Sequence, residues 1–162
     1  MPSDKPIGVI DSGAGGLSVL KKIQKLMPNE ELLYVADSYF APYGPKSEKA
    51  IKNRCFENMG FIKMQQVKAL VLACNTATAA AVKPLRQEYD IPIIGMEPAI
   101  KPAADLTRSG VIGVLATEGT LDSERFMDLR SLYKDKVVII TKACHGLVDE
   151  IERMYPDQGE IV

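Results

Sequence analysis

Six short apolar runs, each followed by a polar or glycine-rich turn and then a helical pattern, constrain this chain more than any other feature. The runs cover residues 6–11, 32–36, 69–73, 91–95, 111–115 and 137–140. After the first, Leu17, Leu20, Ile23 and Leu26 recur at helical spacing until Pro28-Asn29. Ser47 is placed to cap a helix reaching about residue 66. A small-residue helix follows Cys74, and Pro84 is predicted to kink or restart it. Further helices are predicted over residues 98–108, 121–133 and 146–154. Strands alternating with helices make βαβ units around a parallel sheet, so the fold class is α/β. A new strand–helix series begins after Glu97. The expected division is a first lobe over residues 1–97, holding Cys74, and a partial second lobe over 98–162.

In a parallel sheet all strands end on one edge, and ligands bind outside that edge. Asp11-Ser12, Asp37-Ser38, Cys74-Asn75-Thr76, Glu97 and the 117–120 turn all follow strands, so they are expected to converge on one cleft. Cys74 stands out among them. A thiol at a helix N-terminus can have its pKa lowered and act as a base or nucleophile, whereas a thiol beside a strand can equally be an inert core group. The Asp11-to-Gly16 turn lacks the Lys-Ser/Thr ending of a P-loop and the spacing of a dinucleotide fingerprint. It reads as a structural glycine turn, or as one whose N–H groups and Ser12 hydroxyl meet a small polar ligand. In the second reading Asp11 faces an ammonium or a catalytic group.

The remaining candidates each carry a plainer alternative. Cys55 sits beside Phe56 in a helical pattern and reads as core. Cys144-His145 are too close in sequence to form a dyad, though His145 could face the cleft. Glu152 reads as a solvated helix residue. Tyr39, Phe40 and Tyr43 could cap the core, but Pro42-Tyr43-Gly44 is a rigid turn suited to shaping a pocket.

Charge excludes some functions. Acids number 21 against 20 bases, a net charge of -1, so there is no basic footprint for nucleic acid or membrane. No run approaches the roughly 20 apolar residues of a membrane span. Residues 1–5 lead straight into a strand without a signal-peptide apolar region. Three cysteines suit neither a disulfide framework nor a zinc site. The expectation is a cytoplasmic protein with reduced thiols and no metal.

The segments 7–20 (IGVIDSGAGGLSVL), 36–44 (ADSYFAPYG), 70–80 (LVLACNTATAA), 95–99 (GMEPA), 113–119 (GVLATEG) and 146–152 (GLVDEIE) resemble, in order, the glutamate racemases. These are cofactor-independent enzymes of the aspartate/glutamate racemase superfamily. The resemblance implies that Cys74 is one of two catalytic cysteines, with Asp11 beside it. Asp11, Ser12, Tyr43, Gly44, Asn75 and Thr76 match substrate-contacting positions, with Pro42 in the same turn. Thr117, Thr120 and Glu152 lie in matching second-lobe segments. The implied reaction interconverts L- and D-glutamate by two-thiol proton transfer and supplies D-glutamate for peptidoglycan synthesis. It uses no cofactor, and the family implies a homodimer. The family's second cysteine lies in a Gly-Cys-Thr-His-Tyr-Pro type segment that these 162 residues do not contain. The second lobe and its return to the first are therefore expected to be incomplete, and the chain alone inactive or impaired. The alternatives are a racemase or isomerase of another small acidic amino acid such as aspartate, or a non-catalytic truncated binding module.

Overall fold

The computed structural model describes residues 4–154. The expectations that touch residues 1–3 and 155–162 lie outside them. The first lobe is a four-stranded parallel sheet in the order β2-β1-β3-β4, built from β1 (Ile7–Asp11), β2 (Leu32–Ala36), β3 (Ala69–Leu72) and β4 (Ile93–Gly95). Every residue of β1 is buried. A central parallel strand is covered on both faces, which is why its sequence is a continuous apolar run. Successive side chains still point to opposite faces. Ile10, Leu70 and Leu72 pack with Met59 and Ile62 of α2 (Glu48–Met64) and Leu85 of α3 (Asn75–Glu88). Ile7, Val9 and Val71 meet Val19, Leu20 and Ile23 of α1 (Leu17–Leu26) on the other side.

The second lobe is a parallel pair, β5 (Val111–Ala116) and β6 (Val138–Ala143). Its core joins Ile112, Val137 and Ile139 to Ile100 of α4 (Ile100–Leu106) and Phe126 of α6 (Glu124–Ser131). The short helix α5 (Glu118–Leu121) and α7 (Leu147–Met154) belong to the same lobe. No helix among the described residues is long and apolar enough to cross a membrane.

Several elements depart from the sequence reading. Helix α3 runs through Pro84 as one helix. The lost amide bond is offset by burial of Ala81, Val82 and Leu85 on either side of it. The 117–120 segment is not a polar turn but a helix start, because Thr117 Oγ1 accepts from the Thr120 N–H at 3.3 Å. The helix predicted over 121–133 breaks at Ser123, whose hydroxyl caps α6 by accepting from the Phe126 N–H at 3.2 Å. β4 begins at Ile93 because Pro92 has no N–H for the ladder, although its carbonyl still accepts from Leu70 at 2.9 Å. β6 runs three residues past its predicted end. Backbone pairing with β5 continues to Ala116 and Ala143 beyond the apolar run that marked the strand.

Candidate active site

The sheet order places β2 on one side of β1 and β3 on the other, so the strand order reverses between β1 and β3. That crevice is where doubly wound sheets bind ligands. Asp11 and Ser12 end β1, and Cys74 follows β3. Cys74 is the N-cap of α3, a position usually held by Ser, Thr, Asp or Asn, and its Sγ accepts from the Ala77 N–H at 3.4 Å. Ser12 Oγ lies 3.4 Å from the same sulfur. Cys74 is only 9% exposed. Burial pushes its thiol pKa up, and the Ser12 and Ala77 contacts pulling the other way do not overcome it. The lowered pKa open to a helix-N-terminal cysteine is therefore not what this site has. Among the described residues no lysine or arginine lines the cleft as a counter-charge for a thiolate.

Asp11 organises the glycine turn. Its Oδ2 accepts from the Gly16 N–H at 2.8 Å and the Gly13 N–H at 3.3 Å, so these amides serve the turn and not a ligand. A β-carbon at Gly16 would lie 2.7 Å from Asp11 Cβ, so only glycine lets the turn fold back on its own carboxylate. Tyr34 from β2 donates to the Gly13 carbonyl at 2.7 Å and lies 3.5 Å from Asp11 Oδ2. Burial, reinforced by the Asp11 carboxylate, raises the Tyr34 phenol and keeps it a donor. Glu152 of α7 is half-buried, not solvated, and its carboxylate stands directly over Gly13.

The Pro42-Tyr43-Gly44 turn forms another wall. The Ala41–Pro42 bond is cis. Tyr43 is 2% exposed, and its hydroxyl donates to Asp37 Oδ2 at 2.5 Å. Asp37 does not join the cleft. It is buried and gripped by Arg54, whose Nε and Nη2 donate at 2.9 and 2.7 Å. Burial alone would raise the Asp37 carboxyl, but Arg54 and the Tyr43 hydroxyl outweigh it and hold the carboxyl below its usual range. A β-carbon at Gly44 would sit 2.8 Å from Thr117 Cγ2, so the turn abuts the second lobe.

Three hydroxyls join the lobes. Thr76 Oγ1 lies 3.0 Å from Thr117 Oγ1 and 3.2 Å from Thr120 Oγ1, and those two are 2.9 Å apart. A closed ring of three hydroxyls can use all three protons internally, leaving lone pairs rather than donors for a ligand. The whole cleft has a volume of about 670 Å³. Asp11, Ser12, Tyr43, Gly44, Cys74, Asn75, Thr76, Thr117, Thr120 and Glu152 all line it, and among the positions the resemblance singled out Pro42 does not.

Among the other residues, Cys55 follows the sequence reading as a core group, while others depart from it. Cys55 is fully buried in the first-lobe core, where burial pushes its thiol to about 12. Cys144 does line the cleft, and its thiol faces the Lys142 carbonyl at 3.6 Å. His145 is exposed and is not among the lining residues. Glu97 pairs with Arg125. Sequence reasoning missed Tyr34 and Arg54, which carry no local signal because each acts through a residue from another element. It also missed the apolar wall of Leu147, Val148 and Ile151, visible in the sequence only as one stripe of an amphipathic helix.

A model of the family described as Asp/Glu/Hydantoin racemase matches residues 7–156. The chain is 58% identical over 151 residues to the glutamate racemase of Ectopseudomonas mendocina, covering 93% of this chain and 57% of that protein. It is 52% identical to the glutamate racemase of Methylococcus capsulatus, covering 93% and 56%. The chain thus spans somewhat more than half the length of the curated relatives it matches. Among solved structures, the Escherichia coli glutamate racemase in complex with L-glutamate and the activator UDP-MurNAc-Ala superposes with a TM-score of 0.83 at 35% identity, covering 90% of this chain and 55% of that one. A glutamate racemase from Bacillus anthracis gives 0.82 at 37%, covering 96% and 59%.

Proposed function

This chain belongs to the Asp/Glu/hydantoin racemase family, and from that premise we propose that its cleft is one half of a glutamate racemase site in which Cys74 exchanges the α-proton. The observation that carries this reading is the placement of Cys74. Its sulfur is buried at the N-cap of α3, beside the Ser12 hydroxyl and at the point where the strand order reverses. Among the described residues the cleft lining contains two acids, Asp11 and Glu152, and no base. The acids suit the substrate ammonium. The substrate carboxylates fall to the Asn75 side chain and to the positive end of the α3 dipole.

In the exchange step the Cys74 thiolate takes the α-proton, the C–H bond breaks, and the electron pair stays on Cα with delocalisation into the α-carboxylate. The helix N-terminus opposes that developing negative charge. Return of a proton from Cys74 restores the same enantiomer. Return from a second thiol on the opposite face inverts it, and that is the step the whole protein supplies. In the same reading the whole protein works in the cytoplasm and furnishes D-glutamate for peptidoglycan synthesis.

The test is to incubate the 162-residue chain with L-glutamate in D₂O. Deuterium should enter the α-position of L-glutamate without accumulation of D-glutamate, and Cys74→Ser should slow that entry by at least about 100-fold. Substantial D-glutamate would overturn the one-face reading, and unchanged exchange in Cys74→Ser would remove Cys74 from the mechanism. A parallel incubation with L-aspartate separates the two acidic substrates.

A further inference from the structure

Arg54 does not line the cleft, yet its contacts lead into it step by step. Its guanidinium holds both oxygens of Asp37 and lies 3.7 Å from the centroid of the Phe40 ring. Asp37 is tied to the end of β1 by its own N–H, which donates to the Asp11 carbonyl at 2.9 Å. The same carboxylate receives the Tyr43 hydroxyl. Gly44, next in sequence, presses on Thr117, which caps α5 and belongs to the three-hydroxyl ring with Thr76 and Thr120.

We propose that Arg54 is a positioning residue for the cleft, which grips Asp37, thereby anchors the Tyr43 hydroxyl, and so sets the Pro42-Tyr43-Gly44 turn against Thr117 of the second lobe. This rests on reading the cleft as a glutamate site. The chemistry needs an arginine here. Only a planar fork can occupy both carboxylate oxygens while stacking on an aromatic ring. Without it Asp37 becomes a buried carboxylate lacking its counter-charge, which is the costly case for a buried pair. Because the Tyr43 hydroxyl is committed to Asp37, Tyr43 offers the cleft its ring and backbone, and their position depends on that one bond. Arg54 touches neither Cys74 nor Ser12, and its one link toward them is the Asp37 backbone N–H on the Asp11 carbonyl, which pairs main chain and not the carboxylate that Arg54 holds. Loss of Arg54 should therefore weaken substrate holding more than proton transfer.

The test measures the half-saturating glutamate concentration and the saturating rate of α-deuterium exchange for Arg54→Gln, Tyr43→Phe and the double variant. Amide resonances of Gly44, Thr117 and Thr120 are recorded in the same proteins. Arg54→Gln should raise half-saturation about tenfold while the saturating rate stays within about threefold. It should also displace the Thr117 and Thr120 amides, although Arg54 touches neither. Tyr43→Phe should do the same, and the double variant should be no worse than the worse single, because both act through one bond. Unchanged half-saturation in folded Arg54→Gln, or losses that add in the double variant, would overturn the proposal. If the unaltered chain shows no exchange, the glutamate reading has failed, and the amides alone decide Arg54. Displaced second-lobe amides then uphold its positioning role, and changes confined to α2 and Phe40 refute it. If Arg54→Gln does not fold, Tyr43→Phe carries the same comparison.

Discussion

The two lobes follow the same strand–helix rhythm but bury their strands differently. In the first lobe all five residues of β1 are buried, with helices on both faces. In the second, Val138 and Ile140 of β6 are 60% and 59% exposed and Leu115 of β5 is 70% exposed. Parallel strands are ordinarily covered on both faces. Here the second-lobe pair has one packed face and one apolar face open to solvent. Cys74 and the Asp11-to-Gly16 turn therefore sit on the well-packed lobe, where rotamers are held by surrounding contacts. The opposite wall, with Thr117, Thr120 and α7, sits on the thinly packed one. Local stability follows burial of this kind, so the cleft pairs a rigid first-lobe wall with a more yielding second-lobe wall.

The contrast is sharpest in the cores. Leu72→Ala should cost about 2–5 kcal/mol in urea unfolding, whereas Ile140→Ala should stay within about 0.5 kcal/mol. Equal costs would mean that the β6 face is covered in solution. Acid titration comes next. The Asp37 carboxyl is held below its usual value in the folded chain. Its contribution to stability is therefore present above the unfolded carboxylate pKa of about 3.9 and is lost as pH falls through that value toward the lower folded one. Asp37→Asn should flatten the acid limb of the stability curve measured by circular dichroism, and an unchanged limb would place acid sensitivity elsewhere.

The thiols give a smaller contrast. Half-exposed Cys144 should be alkylated about tenfold faster than Cys74 at neutral pH, with Cys55 last, because only an accessible thiolate reacts. The Cys74 rate should keep climbing above the usual thiol range near about 8.5, since its pKa is raised. Mass spectrometry of timed samples reads all three. The smallest effect belongs to the exposed bridge between the lobes, Lys83 to Glu124 at 3.0 Å. Lys83→Met should change stability by no more than about 0.5 kcal/mol, and that little should fade with salt.

How much of this could be read from the chain alone varies by residue. β2 could be placed from its apolar run, and its described bounds, Leu32–Ala36, match the reading to the residue. Ser47 could be read as a cap because its hydroxyl lies one helical turn before the Ala50 amide it accepts from. Cys74 stood out because small polar residues follow a buried strand at that point. The Ser123 break was hidden inside a continuous apolar periodicity, since a cap competes with helix continuation only once Phe126 is buried below it. Asp37 looked like Asp11, an acid at a strand end. Only Arg54, arriving from α2, turned it away from the cleft and into the core.

The sequence by itself determined the α/β class, the order of strands and helices, and the strand-end chemistry, because these depend on local periodicity and on residue type at a fixed place along the chain. Tertiary structure alone decided which strand ends meet, that Cys74 is raised and not lowered, that Thr76 closes a hydroxyl ring with Thr117 and Thr120, and that Glu152 lies over Gly13. Each of these is a balance of burial against contacts from distant elements, and such a balance exists only once the lobes have packed.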